Sequence, residues 1–419
     1  MFLNTAAGAL GGRELYNILK QAHIALLGYP RWERGAYLLW LCGPLLLLIE
    51  RTPADIWLSL IVIIFLIRSI VNRNWSWASL PWFQAASMFL GVCLLSASLS
   101  AVPFYAASEA MAWFRFPLFA AATACWLGKD SRLLKMMLVM TGLGMLAMTG
   151  ILFAELLIEG QKHSRLTWPY GDLVPGNYLT KVGLPAFVIM IALAVGAKPK
   201  TALLMMILSL STLSMSIMAG ERVNFIIRVC AGFLAALVWR PVKCRLIALL
   251  LLKAFAIASL FIFFGDTAVR FTTDVIYNLP IGPKSDYYRV FGAGYLVFLE
   301  SPLIGIGPAA YRELCPELLF GYEYFRCDNH PHNYYLQLLT ETGLAGLVTG
   351  SMMILLIIKN VAEKSFSRRD NVVVATAFII PLGLFFPFQS TADFFGQWNN
   401  IFMWSAVALS MAMAESDIE

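Results

Sequence analysis

The chain has 419 residues, 59% of them apolar and 13% charged, with a formal net charge of +6. Soluble domains are about a quarter charged, so this composition excludes a soluble globular protein and points to a helical protein with many membrane spans. A positive excess would suit nucleic acid, but its distribution, described below, assigns it to loops on one side of a membrane and leaves no nucleic-acid partner to expect.

Residues 1–34 are amphipathic and charged (Arg13, Glu14, Lys20, His23, Arg31, Glu33, Arg34) and lack the compact apolar stretch of a signal peptide. They predict a cytoplasmic helix lying in the membrane interface. Apolar runs follow at about 35–50, 54–71, 81–101, 104–127, 134–157, 179–197, 201–220, 223–239, 245–265, 335–358, 372–390 and 398–414. A span needs ~20 residues, so these runs predict an all-α polytopic protein of about twelve transmembrane helices, nine within 35–265 and three within 335–419. Breaks such as Thr52-Pro53 and Val102-Pro103 fit tight hairpins, because proline disfavours helical backbone at the residue before it.

Basic residues set the expected orientation. Arg13, Lys20, Arg31 and Arg34 precede the first run. Every second link then carries Arg68 and Arg73; Lys129, Arg132 and Lys135; Lys198 and Lys200; Arg240, Lys243 and Arg245; and finally Lys359, Lys364, Arg368 and Arg369. The alternate links hold Arg51, then Lys162, Arg165 and Lys181, then Arg222. Positively charged loops stay in the cytoplasm. Both termini are therefore expected inside, and the segment 266–334 outside.

That outer segment is too long for a simple connector. Asp286 to Glu300 has apolar residues at helical spacing and predicts an amphipathic helix over the bundle, stopped by Ser301-Pro302 and followed by a Gly305-Ile-Gly-Pro308 turn. Of seven cysteines, Cys42, Cys93, Cys125 and Cys230 fall in apolar runs, where a thiol is a small hydrophobe. Cys315 and Cys327 share the outer segment and are candidates for a disulfide.

Three outward residues at membrane edges draw attention: Arg222, Arg289 and His332. Arg222 lies in Met218-Ala-Gly-Glu-Arg-Val-Asn224, a hairpin so short that its guanidinium must sit at the bilayer boundary; it either snorkels beside Glu221 or binds an anion. Arg289 belongs to the outer helix, where it is a solvated charge or a fork for phosphate oxygens. His332, in Arg326-Cys-Asp-Asn-His-Pro-His-Asn-Tyr-Tyr335, has an imidazole suited to general-base work at neutral pH. A zinc site of Asp328, His330 and His332 lacks a fourth ligand and a suitable spacing, and no outward Gly-x-Ser-x-Gly elbow supports a hydrolase. Secondary candidates are Arg165 and Asp172 (sugar or phosphate contacts, or a loop ion pair), Asn177 (a contact or a helix cap) and Asp393 (a substrate contact or an arginine partner). His330, Asn333 and Tyr288 flank the main residues as candidate substrate contacts. Arg115, Arg228 and Lys253 lie within spans, where charges are usually paired, Arg115 by expectation with Glu109.

Three stretches together resemble the O-antigen ligase and polymerase family of bacterial inner-membrane glycan transferases: Ala219-Gly-Glu-Arg222; Arg289 followed by Glu300-Ser-Pro-Leu-Ile-Gly-Ile-Gly-Pro308; and His330-Pro-His-Asn-Tyr-Tyr-Leu-Gln-Leu-Leu-Thr-Glu-Thr-Gly343. They cover the central and C-terminal half of the chain. The resemblance implies transfer of a glycan from undecaprenyl pyrophosphate to an acceptor sugar, a lipid A core sugar in a ligase or a second lipid-linked repeat in a polymerase. It also implies inversion at the anomeric carbon without a metal or other cofactor. Carried over, Arg222 and Arg289 hold the pyrophosphate and His332 activates the acceptor hydroxyl. The family segment that often reads Gly-x-x-x-x-Pro-Asn is here Gly171-Asp-Leu-Val-Pro-Gly-Asn177, one residue longer between Pro and Asn. A transporter, the competing class, requires charged residues along a path through the bilayer in paired halves, and the polar residues here gather on one side instead.

Overall fold

The computed structural model describes residues 12–160, 165–171, 174–220, 222–238 and 285–416; within these, the side chains of Arg13, Val174, Arg222 and Asn224 lie outside the described set. Among the described residues every regular element is a helix. The elements are α1 (Gly12–Leu27), α2 (Arg31–Leu41), α3 (Gly43–Leu46), α4 (Arg51–Val71), α5 (Pro81–Leu99), α6 (Pro103–Trp113), α7 (Arg115–Ala122) with a π turn over Thr123–Leu127, α8 (Ser131–Ile158), α9 (Val174–Thr180), α10 (Leu184–Ala194), α11 (Pro199–Met218), α12 (Arg222–Val238), α13 (Asp286–Glu300), α14 (Tyr311–Leu318), α15 (Tyr334–Ser367), α16 (Val372–Ala377), α17 (Ile379–Leu384) and α18 (Gln397–Glu415).

Among the described residues six stretches are long and apolar enough to cross a membrane: Arg51–Val71, Pro81–Leu99, Pro103–Leu127, Ser131–Ile158, Pro199–Met218 and Tyr334–Ser367. On α4, Ile56, Leu60, Ile63, Ile67 and Ile70 form an exposed stripe at helical spacing, while Trp57, Leu58, Ile61 and Phe65 are buried on the other side. Such a helix has apolar residues all round and needs lipid on its outer face.

Other expected spans divide. The run at 35–50 breaks between α2 and α3, where Pro44 follows Gly43 and the Trp57 ring packs so closely on Gly43 that a Cβ there would lie 2.2 Å from it. The run at 179–197 is split by a turn over Lys181–Gly183, and α10 begins with Pro185 in its first turn. In the run at 372–390, α16 and α17 together reach only Leu384, and Pro387 follows. A helix of 13 residues, Val372–Leu384, rises about 20 Å against an apolar layer of about 30 Å. The expected span at 245–265 and the first part of the outer segment, 266–284, lie outside the described residues.

The core is organised around α18, whose side chains from Asn400 to Ala414 are nearly all buried. Trp404 meets Trp113 edge-on at 5.8 Å, and Trp113 stacks on Phe394 at 5.2 Å. The two ends of α15 and α18 carry different chemistry. At one end, Glu415 pairs with Lys129 and Lys364, Glu33 with Arg68, and Asp130 with Tyr29 and Arg132. At the other, Gln397 and the head of α15 join the loops 165–170, 302–309 and 385–395. The basic positions expected in the cytoplasm, Arg68, Lys129, Arg132 and Lys364, thus share one end, and Arg289 and His332 occupy the other.

Candidate active site

The head of α15 is interrupted. Gly343 adopts φ 64°, a left-handed backbone that breaks the helix after Thr342. The loop 302–309 fills the gap: Ile306 N–H donates to Thr340 O (3.2 Å), Gly307 N–H to Glu341 O (2.9 Å), Leu344 N–H to Pro302 O (2.9 Å) and Ala345 N–H to Leu303 O (3.1 Å). A Cβ on Gly305 would lie 2.3 Å from the Glu341 backbone, so only glycine allows this approach. The Glu341 carboxylate accepts Ala309 N–H (3.0 Å) and Tyr311 N–H (3.2 Å), satisfying donors at the start of α14. The Gly305–Pro308 turn and the Thr340–Gly343 stretch, separate in sequence, are therefore one structure.

The helix α13 forms as its spacing predicts, over Asp286–Glu300, with Ser285 Oγ accepting Tyr288 N–H at its start. It packs against α15, and a strap from Leu319 to Asp328 crosses it. Arg289 Nε–H donates to Tyr324 O (2.8 Å), the guanidinium lies 5.9 Å from the Tyr324 ring, and Arg326 N–H approaches Arg289 O at 3.5 Å. The Phe325 ring sits directly on Gly292, where a Cβ would be 2.4 Å from Cε1. Cys315 on α14 and Cys327 on the strap form a disulfide with Cα atoms 5.8 Å apart. Tyr288, next to Arg289, is exposed and faces the Tyr324 ring edge-on at 6.4 Å.

His332 stands four residues beyond the strap. Its φ of 54° is unusual for a residue with a Cβ. Thr391 N–H holds it there by donating to His332 O at 2.8 Å. His332 Nε2 is 3.1 Å from Asp328 Oδ2, and Asp328 Oδ1 accepts Arg326 Nε–H at 2.8 Å. An Nε2–H donated to Asp328 places the imidazole lone pair on Nδ1, the arrangement an oriented general base needs. The Tyr287 ring stands edge-on to His332 at 6.2 Å, and its hydroxyl donates to Ser390 Oγ at 3.0 Å.

His330 faces elsewhere. Its ring centroid is 4.3 Å from that of His332, but its Nε2 is 3.0 Å from Thr391 O. Burial, and next the neighbouring His332, lowers the His330 pKa below the usual 6.5. Asn333 caps α15 by accepting Tyr335 N–H and Leu336 N–H, and its amide donates to Pro387 O and Gln389 O. Both polar ends of Asn333 are thereby engaged in the fold.

Behind the histidines lies a polar cluster in which Gln337, Glu341 and Asp393 are buried and Arg312 reaches the surface. Asp393 pairs with Arg312 and accepts Gln337 Nε2–H at 2.6 Å and Phe395 N–H at 3.0 Å. Gln337 also donates to Glu341 (3.1 Å) and accepts Phe394 N–H (2.8 Å). Of the two roles open to Asp393, the structure supplies an arginine partner. Arg312, Gln337 and Glu341 were not legible as a group. The one available signal was Gln337 and Glu341 at i, i+4 within an apolar helix.

The remaining candidates are spread around the same end. Arg165 lies against Gly220, where a Cβ would be 2.6 Å from its Cδ, and Leu166 N–H donates to Met218 O at 2.9 Å. Buried Glu155 holds this loop by accepting Thr167 N–H and Trp168 N–H. The loop 165–170 thus rests on the turn that leads to Arg222, whose guanidinium lies outside the described residues, as do Glu221 and Asp172. Asn177 lies inside α9, which begins at Val174, rather than at a helix start. The expected Arg115–Glu109 pair is corrected: Arg115 pairs with Asp55 at 2.6 Å and donates to Ser59 Oγ and Gln397, while Glu109 accepts from the same Gln397. Asp55 is four residues beyond the start of α4, close to Arg115 only after folding. Arg228 is fully buried, and Lys253 lies outside the described residues. Among the described residues no group of three His, Cys, Asp or Glu side chains has the geometry to hold a metal.

The chain matches no protein-family model and no curated protein sequence.

Proposed function

We propose that the chain is a polytopic inner-membrane glycosyltransferase of the O-antigen ligase kind, with its site on the periplasmic face and both termini in the cytoplasm. The acceptor is a lipid A core sugar and the donor a glycan on undecaprenyl pyrophosphate. The observation that carries this reading is the Asp328–His332 pair at the head of α15, with Arg289 anchored on the same strap.

In the proposed reaction the acceptor hydroxyl loses its proton to His332 Nδ1 as its oxygen attacks the anomeric carbon. The bond from that carbon to the pyrophosphate oxygen breaks, and undecaprenyl pyrophosphate leaves. Asp328 stabilises the imidazolium that forms, as a carboxylate does behind any oriented histidine base. Arg289, together with Arg222 at the head of α12, meets the charge growing on the leaving oxygens, an interaction stronger in the transition state than before it. The isoprenoid tail lies among lipid-facing helices such as α4. Attack opposite the leaving group gives inversion.

Transfer in membranes or detergent from a lipid-linked donor to a lipid A core acceptor tests the reading, with a second lipid-linked donor as the competing acceptor. Arg222→Ala, Arg289→Ala and His332→Ala are each expected to lose about 10²–10⁴-fold in turnover. Wild-type transfer by all three, at matched expression, overturns the enzyme. Transfer only to the second lipid-linked donor replaces the ligase by a polymerase.

A further inference from the structure

We propose that the strap Leu319–Asp328, closed by the Cys315–Cys327 disulfide, is the positioning element of the site, so that this covalent link governs the chemical step more than it governs folding. The inference rests on the transferase reading and adds to it a device that holds base and phosphate fork in register.

The strap supplies contacts to both charged arms. Its Tyr324 carbonyl accepts from Arg289, and its last residue, Asp328, engages His332 Nε2. Between them Arg326 ties the two, its N–H near Arg289 O and its Nε–H on Asp328 Oδ1. Little else secures this stretch. Regular structure is absent from Gly321 to Asn333, Phe320 and Tyr322 are exposed, and within the strap the backbone bonds are the short-range Tyr322 to Leu319 and Phe325 to Tyr322.

Beyond Leu319, which is buried at the strap's start, two anchors hold it in place. The Phe325 ring lies on Gly292, and the disulfide ties Cys327 to Cys315. Cys315 is itself fully buried in a small apolar cluster with Ala293, Val297, Tyr311 and Leu314, separate from the main core. The linked cysteine on the strap immediately precedes Asp328. A covalent tie one residue from the carboxylate that orients the base restrains that carboxylate directly, and a displacement of about 1 Å at such a group costs about 10² in rate.

The test compares wild type, Cys315→Ala/Cys327→Ala, Asp328→Asn and the triple variant in the transfer assay, with Arg289→Ala and His332→Ala alongside. The expected result is a loss of about 10²-fold in kcat for the cysteine pair with KM nearly unchanged. Adding Asp328→Asn to the cysteine pair should cost little more, because both act through the same carboxylate. A readout without donor runs in parallel: carbethoxylation of His332 by diethyl pyrocarbonate, followed by mass spectrometry, is expected to accelerate in both the cysteine pair and Asp328→Asn. If the cysteine pair fails to fold, reduction of the folded wild type with a phosphine takes its place; one water supplies the oxygen of the phosphine oxide and the two hydrogens of the thiols formed.

Wild-type kcat and wild-type carbethoxylation after loss of the disulfide overturn the proposal, as do fully additive losses. If Arg289→Ala and His332→Ala abolish transfer while the cysteine pair keeps it, the transferase stands and the strap's role falls. If those two variants retain transfer, the transferase reading itself fails.

Discussion

At Arg228 a guanidinium is fully buried on α12 with no carboxylate pairing with it among the described residues. It donates to Thr212 O (3.1 Å), Thr212 Oγ1 (2.8 Å) and Ser216 Oγ (2.9 Å), and lies 4.3 Å from the Phe187 ring. A planar fork makes these contacts together, and an ammonium does not. Arg228→Lys is therefore expected to lower stability by about 1–3 kcal/mol, read as the melting temperature in detergent. Arg228→Met, which fills the space without a buried charge, should melt no earlier than Arg228→Lys; the reverse order contradicts this account. His330 yields a prediction of the opposite kind. Its folded pKa is lowered, so the unfolded chain binds the proton more readily. Its contribution is intact above the ordinary value of 6.5 and is lost as pH falls below that toward the lowered folded value. Melting temperatures across this window should fall less steeply in His330→Gln than in the wild type, and equal slopes would remove His330 as the cause.

Among the elements, α15 shows how a helix break builds a site. Gly343 and Gly305 allow two backbones to meet, and a Cβ at Gly343 would lie 2.3 Å from the Leu303 carbonyl carbon. Gly343→Ala and Gly305→Ala should each lose about 1–3 kcal/mol from the left-handed φ alone, with the overlap adding to it. Gly150→Ala on α8 is the control, since nothing lies within 4 Å of its Cβ position. It is expected to be neutral or stabilising by up to about 1 kcal/mol. Thermal unfolding of the three variants decides: similar melting for Gly343→Ala and Gly150→Ala would refute the packing argument. The amphipathic pattern of 286–300 showed α13 and its bounds because one face meets α15 and the other does not. The same reasoning overran at 35–50 and 372–390, where apolar composition persists but Pro44, Pro381 and Pro387 interrupt the helix.

Over the whole molecule, charge divides the two ends. The Glu415 carboxylate binds Lys129 and Lys364, which brings three distant segments together at the end expected to face the cytoplasm. A reporter fused after Glu419 should be active only in the cytoplasm, and one inserted at exposed Gly321 only outside. Activity of both on one side would overturn the orientation. Cys315 on α14 and Cys327 on the strap should resist thiol labelling in intact, unreduced cells, whereas a span-embedded pair would give no such dependence on the reductant.

How far residue order alone reaches depends on the range of the force involved. Helix class, the membrane environment and the bounds of α13 follow from composition and periodicity, because burial in lipid or against one neighbour acts on each segment locally. His332 and Arg289 stood out in the sequence for a related reason, as titratable groups in a long polar segment of an otherwise apolar chain. The partners did not. Asp55 for Arg115, Arg312 for Asp393, Tyr324 for Arg289 and the junction of Gly305 with Glu341 join residues from 35 to 81 positions apart. Hydrogen bonds and ion pairs act only at contact, and contact between distant segments exists only once the bundle has closed.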